Sequence, residues 1–159
     1  LARLGITYTT VHALGGSQMI KAAKDGLIAR TPIDKNVPEL LAVTELTSIS
    51  DEILYYEQNC NLSMNDQVLS LATMAKKAGA DGVICSPLEV KNLRQKVGED
   101  FLYVTPGIRP AGNAKDDQSR VATPVQAKEC GSTAIVVGRP ITLATDPEAA
   151  YEAIKKEFN

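Results

Sequence analysis

Tryptophan is absent from this sequence, histidine occurs once, as His12, and aromatic residues make up only 4%. With one histidine and no clustered carboxylates, no metal site is expected. Cysteine is sparse too: Cys60, Cys85 and Cys130 are odd in number, widely spaced and form no C-x-x-C pair. That argues against a disulfide framework, and a reduced, cytoplasmic chain is the simplest reading. No apolar run approaches the roughly 18 residues of a membrane span, so no membrane is expected as a partner. Neither sign of charge dominates, since 17 Lys and Arg against 19 Asp and Glu leave a net charge of −2. Without a basic field, nucleic acid is not an expected partner. A secretory leader is also missing, and Leu1-Ala2-Arg3-Leu4-Gly5 reads as the last turn of a helix stopped by glycine. The expectation is a chain that begins partway through a β-α unit.

What is present is a repeated grammar. At 159 residues the chain fits one domain with a sizeable core, taken here as residues 1–159. Ile6 to His12 is almost wholly β-branched or aromatic and ends at Gly15-Gly16, after which Ser17 is expected to cap a helix through about Ala29. Leu40 to Thr44 reads as a second strand, Ser50 to Asn59 as a short helix, and Ser63 to Ala78 as a capped helix stopped by Gly79. Gly82 to Cys85 is the next strand, and Ser86-Pro87-Leu88-Glu89 is a capping box with proline at the first helical position. Phe101 to Val104 repeats the strand, Thr123-Pro124-Val125-Gln126 repeats the capping box, and Ala134 to Val137 is the last strand. Asp146-Pro147-Glu148 opens the final helix. Five continuous apolar strands alternating with helices imply a parallel sheet with right-handed crossovers. A doubly wound sheet and part of a (β/α)-barrel both satisfy that pattern. No G-x-G-x-x-G opens the first helix, which counts against a dinucleotide-binding doubly wound fold.

Two strand ends carry arginine. Val104-Thr105-Pro106-Gly107-Ile108-Arg109 and Ile135-Val136-Val137-Gly138-Arg139-Pro140 each run from an apolar strand through glycine to an arginine. The carboxyl edge of a parallel sheet is where ligands bind, and in barrels the last two loops commonly hold phosphate. Two guanidinium groups there suggest an anionic, phosphorylated small molecule, against the plainer reading of surface ion pairs. The arginines favour the barrel. Five strands cannot close an eight-stranded one, so that reading asks for about three further units upstream.

Other residues have plainer readings. Cys85 lies inside an apolar strand and reads as a core hydrophobe rather than a nucleophile. Tyr55 and Tyr56 read as core or dimer-interface anchors. Lys76-Lys77 and Lys155-Lys156 read as solvated helix ends set against the dipole. His12, ending its strand, either faces the site or is a structural histidine at the rim.

In this order, Val11-His12-Ala13-Leu14-Gly15-Gly16, Ala42-Val43-Thr44-Glu45-Leu46-Thr47-Ser48, Gly82-Val83-Ile84-Cys85-Ser86, Val104 to Arg109 and Ile135 to Thr142 resemble the last five strand ends of bacterial orotidine 5′-phosphate decarboxylases. Asp117 to Pro124 in the polar loop fits the same pattern. The resemblance implies a homodimeric (β/α)8 TIM barrel, of which this chain supplies the last five β-α units. It further implies decarboxylation of orotidine monophosphate (OMP) to uridine monophosphate (UMP) without metal or organic cofactor. By the same resemblance Thr47 would sit against the pyrimidine, and Pro106 and Arg109 at the mouth of the seventh strand. Gln118 would reach the phosphate from a closing loop, and Gly138 with Arg139 would hold it at the eighth.

One departure is large. The family's proton-donating lysine lies in an Asp-x-Lys-x-x-Asp motif on the third strand, preceded by a substrate-contacting Asp and Lys, and none has a counterpart in residues 1–159. No catalytic residue is therefore assigned here; the motif is expected upstream of Leu1. Alternatives are another phosphosugar-binding barrel lyase or isomerase and a non-catalytic phosphate-binding fragment.

Overall fold

The computed structural model describes residues 1–110 and 120–159. Among them five strands form one sheet: β1 (Tyr8–His12), β2 (Glu39–Val43), β3 (Gly82–Ile84), β4 (Leu102–Thr105) and β5 (Ala134–Ile135). Between and after them lie α1 (Gly16–Arg30), α2 (Met64–Lys77), α3 (Pro87–Val97), α4 (Pro124–Cys130), the short α5 (Arg139–Thr142) and α6 (Pro147–Phe158). Every neighbouring pair is parallel, and the order in the sheet is the order in the chain. That order decides between the two architectures left open above. A doubly wound sheet reverses its order at a switch point, whereas a barrel adds each strand beside the last. The chain forms five successive β-α units of a (β/α)-barrel.

Packing follows from the strands. Leu40, Leu41 and Ala42 of β2 are all buried, as expected for a strand covered on both faces. Ile20 and Leu27 of α1, Val68, Leu71, Ala72 and Ala75 of α2, and Val90 and Leu93 of α3 close over the sheet in one cluster with Val83 and Tyr103. The strand β1 differs, alternating exposed and half-buried residues because it stands at the sheet edge and carries the polar Tyr8, Thr10 and His12 outward. At the amino edge, Asp81 accepts hydrogen bonds from Lys24 Nζ at 2.6 Å and from the Leu40 amide at 2.7 Å, tying α1 to two strands.

The helix ends are mostly set by local chemistry. Ser86 and Thr123 form the two expected capping boxes with Glu89 and Gln126, Ser63 and Asp146 cap α2 and α6, and Gly131 stops α4 in the left-handed conformation. Ser17 does not cap α1. A 3-10 turn over Ala13–Gly15 leads straight into the helix, which begins at Gly16 with φ at 84°. The segment expected as a short helix holds a π-helical turn, Ile53–Glu57, ended by Asn59 at φ 54°. Of Ile53, Leu54, Tyr55 and Tyr56 only Leu54 is buried; Tyr55 and Tyr56 are 53% and 74% exposed and meet edge to face, so they are not core residues. Lys76 is not a solvated helix end either: it donates to Asp100 and to the Val97 carbonyl and lies over the Phe101 ring. Cys85 is buried in the core, as expected.

Gly82 is the tightest position in the sheet. A Cβ there would lie 2.6 Å from the Leu102 carbonyl oxygen, 2.5 Å from Leu102 Cβ and 2.9 Å from Leu41 Cδ2. The Leu102 contacts are to its backbone carbonyl and Cβ and cannot swing aside, whereas the Leu41 methyl is the end of a flexible side chain. Gly82→Ala is expected to destabilise the fold by about 3 kcal/mol, read as a shifted urea midpoint; a loss below about 1 kcal/mol would show that the strands can part there.

Candidate ligand-binding edge

Parallel register fixes which residues share an edge. His12 pairs with Val43, Val43 with Ile84, Ile84 with Val104 and Val104 with Ala134, so these five lie in one row that ends β1, β2 and β3, with Thr105 and Ile135 ending β4 and β5 one step beyond it. Ladder bonds run a step further, from Thr44 N to the Ile84 carbonyl, Cys85 N to that of Val104 and Val136 N to that of Thr105. Everything just beyond this row emerges on the same side: Thr47 after β2, Ser86 after β3, Pro106 and Arg109 after β4, and Gly138 and Arg139 after β5. The strand ends singled out from the sequence are thus brought to one edge.

Their environments differ. Thr47 is buried and Pro106 half-buried. Arg109 is only 8% exposed, and its Nη1 donates to the Ile108 carbonyl at 2.9 Å. Its amide donates to the Ala122 carbonyl at 2.9 Å while the Ala122 amide donates to that of Gly107 at 3.1 Å. Ile108 and Ala122 form a parallel bridge, so the two ends of the connection from β4 to α4 are stitched together. The left-handed Gly107, at φ 74°, makes the turn that permits it. Gly138 and Arg139, by contrast, are exposed. A Cβ on Gly138 would meet nothing within 4 Å, leaving room for a ligand to approach that backbone. Arg139 opens α5, a helical turn that the sequence pattern did not predict. His12 is exposed at the end of β1. Gln118 lies outside the described residues.

A cluster not anticipated from the sequence lies beneath this edge. The buried Glu89 accepts the Ser86 amide through Oε2 at 2.8 Å and is ion-paired through Oε1 with Arg120 Nη1. Arg120 also donates through Nη2 to the Leu46 carbonyl at 2.8 Å. Nearby, the buried Glu45 accepts from Gln67 and Gln58, both at 3.3 Å. The sequence pattern marks Glu89 as half of a capping box; its second partner is 31 residues away and leaves no local signal. Among the described residues no group of His, Cys, Asp and Glu is placed to hold a metal ion. Nor is any helix there long and apolar enough to cross a membrane.

Residues 1–154 match the profile of the orotidine 5′-phosphate decarboxylase / HUMPS family. The chain belongs to that family. An orotidine 5′-phosphate decarboxylase from Lactobacillus johnsonii is 96% identical over all 159 residues, which cover 68% of its length. The crystal structure of the Lactobacillus acidophilus orotidine 5′-phosphate decarboxylase superposes on 99% of this chain with a TM-score of 0.86 and 73% identity, and 66% of that chain is covered. The Pyrococcus horikoshii enzyme shares the fold, with a TM-score of 0.68 at 24% identity. The chain therefore spans about two thirds of the length of these orotidine 5′-phosphate decarboxylases.

Burial pushes the Glu89 pKa up from its ordinary 4.5, with Glu45 adding to the rise, while Arg120 and the Ser86 amide pull the other way; the net direction is upward. A carboxyl raised on folding gives stability that is fully present below the unfolded value and is lost as pH rises through the folded one. Glu89→Gln removes that titration. The stability of the native protein minus that of Glu89→Gln is expected to fall as pH is raised from about 4 to 7 in urea melts. A difference that grew with pH would mean that the Arg120 ion pair outweighs burial.

Proposed function

We propose that this chain forms the phosphate- and pyrimidine-binding edge of an orotidine 5′-phosphate decarboxylase, which converts OMP to UMP in pyrimidine biosynthesis. Residues 1–159 make up one partial barrel domain of it, and the protein works as a cytoplasmic homodimer without cofactor. The observation that carries the reading is 96% identity to a decarboxylase, with Thr47, Arg109, Gly138 and Arg139 all emerging at the ligand edge of the sheet. In this reading the open backbone at Gly138 and the exposed fork of Arg139 take the phosphate, and Gln118 adds a neutral donor. Thr47 lies against the pyrimidine, with Pro106 and Arg109 at the neighbouring strand end, and His12 stands at the rim.

Loss of carbon dioxide from the pyrimidine leaves a carbanion with no adjacent carbonyl to spread its charge. A fixed ammonium can stabilise that charge as it forms and then donate the proton. The family's Asp-x-Lys-x-x-Asp motif, which supplies it, does not occur in residues 1–159. The same fact favours a second reading of these residues taken by themselves, as a module that binds the nucleotide without turning it over. Residues 1–159 expressed alone are expected to leave orotate absorbance unchanged; turnover by them would refute the assignment of chemistry to that motif.

The phosphate is remote from the bond that breaks, yet its binding energy can be used to assemble the site and so lower the barrier. In the full protein, Arg139→Ala is expected to lower kcat/KM by about 3 kcal/mol, on the order of a hundredfold. A change under about 1 kcal/mol would contradict the role given to Arg139.

A further inference from the structure

Three backbone segments of the ligand edge meet at one guanidinium. Arg120 pairs with Glu89 at the start of α3, donates to the Leu46 carbonyl at 2.8 Å, and makes a longer contact of 3.4 Å to the Glu45 carbonyl. Its own segment is pinned two residues on, where Ala122 bridges to Ile108 and Arg109. Beyond Thr44 the stretch after β2 has left the sheet ladder, and within it the Ile49 amide donates to the Leu46 carbonyl. The Leu46 carbonyl thus accepts twice, once from Ile49 and once from Arg120. Glu45 is held from the far side by Gln58 and Gln67. The next residue beyond Leu46 is the buried Thr47.

The charges involved are shielded from water: the Arg120 and Glu89 side chains are 15% and 5% exposed. A buried pair of this kind gives little net stability but fixes geometry, because removing either partner strands the other. Glu89 is itself immobilised by the capping box, so the guanidinium has a rigid counter-ion on one side and a loop carbonyl on the other.

We infer that Arg120, held by Glu89, is a positioning residue that sets the Leu46-Thr47 backbone against the pyrimidine side of the nucleotide site. This rests on the reading of Thr47 under the proposed function. Arg120 need not touch the ligand; it acts through the carbonyl that precedes Thr47.

The test measures dissociation constants of the full protein for UMP and for uridine by calorimetry, in Arg120→Met, Arg120→Lys, Glu89→Gln and Arg139→Ala. Arg120→Met is expected to weaken both ligands by the same factor, about tenfold, with partial recovery in Arg120→Lys. Arg139→Ala is expected to weaken UMP about a hundredfold and leave uridine within about twofold. Arg120→Met within about twofold on both ligands, beside a weakened Arg139→Ala, overturns the positioning role and leaves the nucleotide reading standing. A loss in Arg120→Met confined to UMP places its action on the phosphate side and also overturns the inference. If Arg139→Ala leaves UMP affinity intact, the nucleotide reading itself fails. Should Arg120→Met not fold, Glu89→Gln decides: it keeps an acceptor for the Ser86 amide but loses the charge. It is expected to weaken both ligands equally, and an effect on neither overturns the role.

Discussion

Parallel pairing in chain order is the constraint on which the rest of this structure depends. Because every strand points the same way, every β-α turn falls on one edge and every return helix must cross the same face. Val43, Ile84, Val104 and Ala134 lie in a single row, so residues that are up to 92 positions apart in the sequence, such as Thr47 and Arg139, leave the sheet on one side. The same pairing demands close approach at the other end of the strands. Gly82 has no room for a Cβ between Leu41 and Leu102, and Asp81 binds Lys24 and the Leu40 amide one step before it. The amino edge is thereby tightly tied, and the carboxyl edge is left to loops.

Loops that have left a ladder need their backbone groups satisfied by other means. At the carboxyl edge of this sheet, charged side chains do that work. Glu89 serves twice, as the acceptor for the amide that opens α3 and as the counter-ion of Arg120. Arg120 in turn supplies a donor to a loop carbonyl that no strand reaches. Each of these groups loses hydration when buried, which raises the Glu89 carboxyl pKa, and the cost is offset only in part by the ion pair and the backbone hydrogen bonds, since the Arg120 Nε is buried without a hydrogen-bond partner. Such an arrangement is unforgiving of single substitutions. That makes it suited to holding a loop at one distance from a bound molecule rather than to adding stability.

The parts of the molecule that the sequence disclosed are those governed by short-range rules. The capping boxes at Ser86 and Thr123, the stop at Gly131 and the capped starts of α2 and α6 all follow from contacts within three or four residues, and the structure has each of them. The alternation of strands and helices was legible for the same reason. Errors arose where the deciding contact is distant. Lys76 reads as a free helix-end charge until Asp100 and Phe101 fold beneath it. Ser17 is a local exception: it reads as a cap, but the adjoining 3-10 turn through Gly15 starts the helix before it. The Arg120 to Glu89 pair is the largest omission. Glu89 had a sufficient local explanation in its capping box, Arg120 had only its place in the polar loop, and only tertiary structure shows that they meet.

The two arginines first singled out as a pair turn out to be unlike each other, and the difference bears on how such an edge can work. Arg109 is buried, donates to the carbonyl of Ile108, and lies on a segment stitched to Ala122. Arg139 is exposed beside an open glycine backbone. An exposed arginine stays within reach of solvent and can meet an anion there; a buried one has already given up its hydration, so it contributes order more readily than capture. The edge therefore divides into an accessible end at β5, fitted to the diffusing, highly charged part of a ligand, and a preorganised interior around β2 and β4. In the proposed nucleotide reading, capture would fall at the phosphate and discrimination at the base. Phosphate binding would then supply the free energy with which the rest of the site is brought into register.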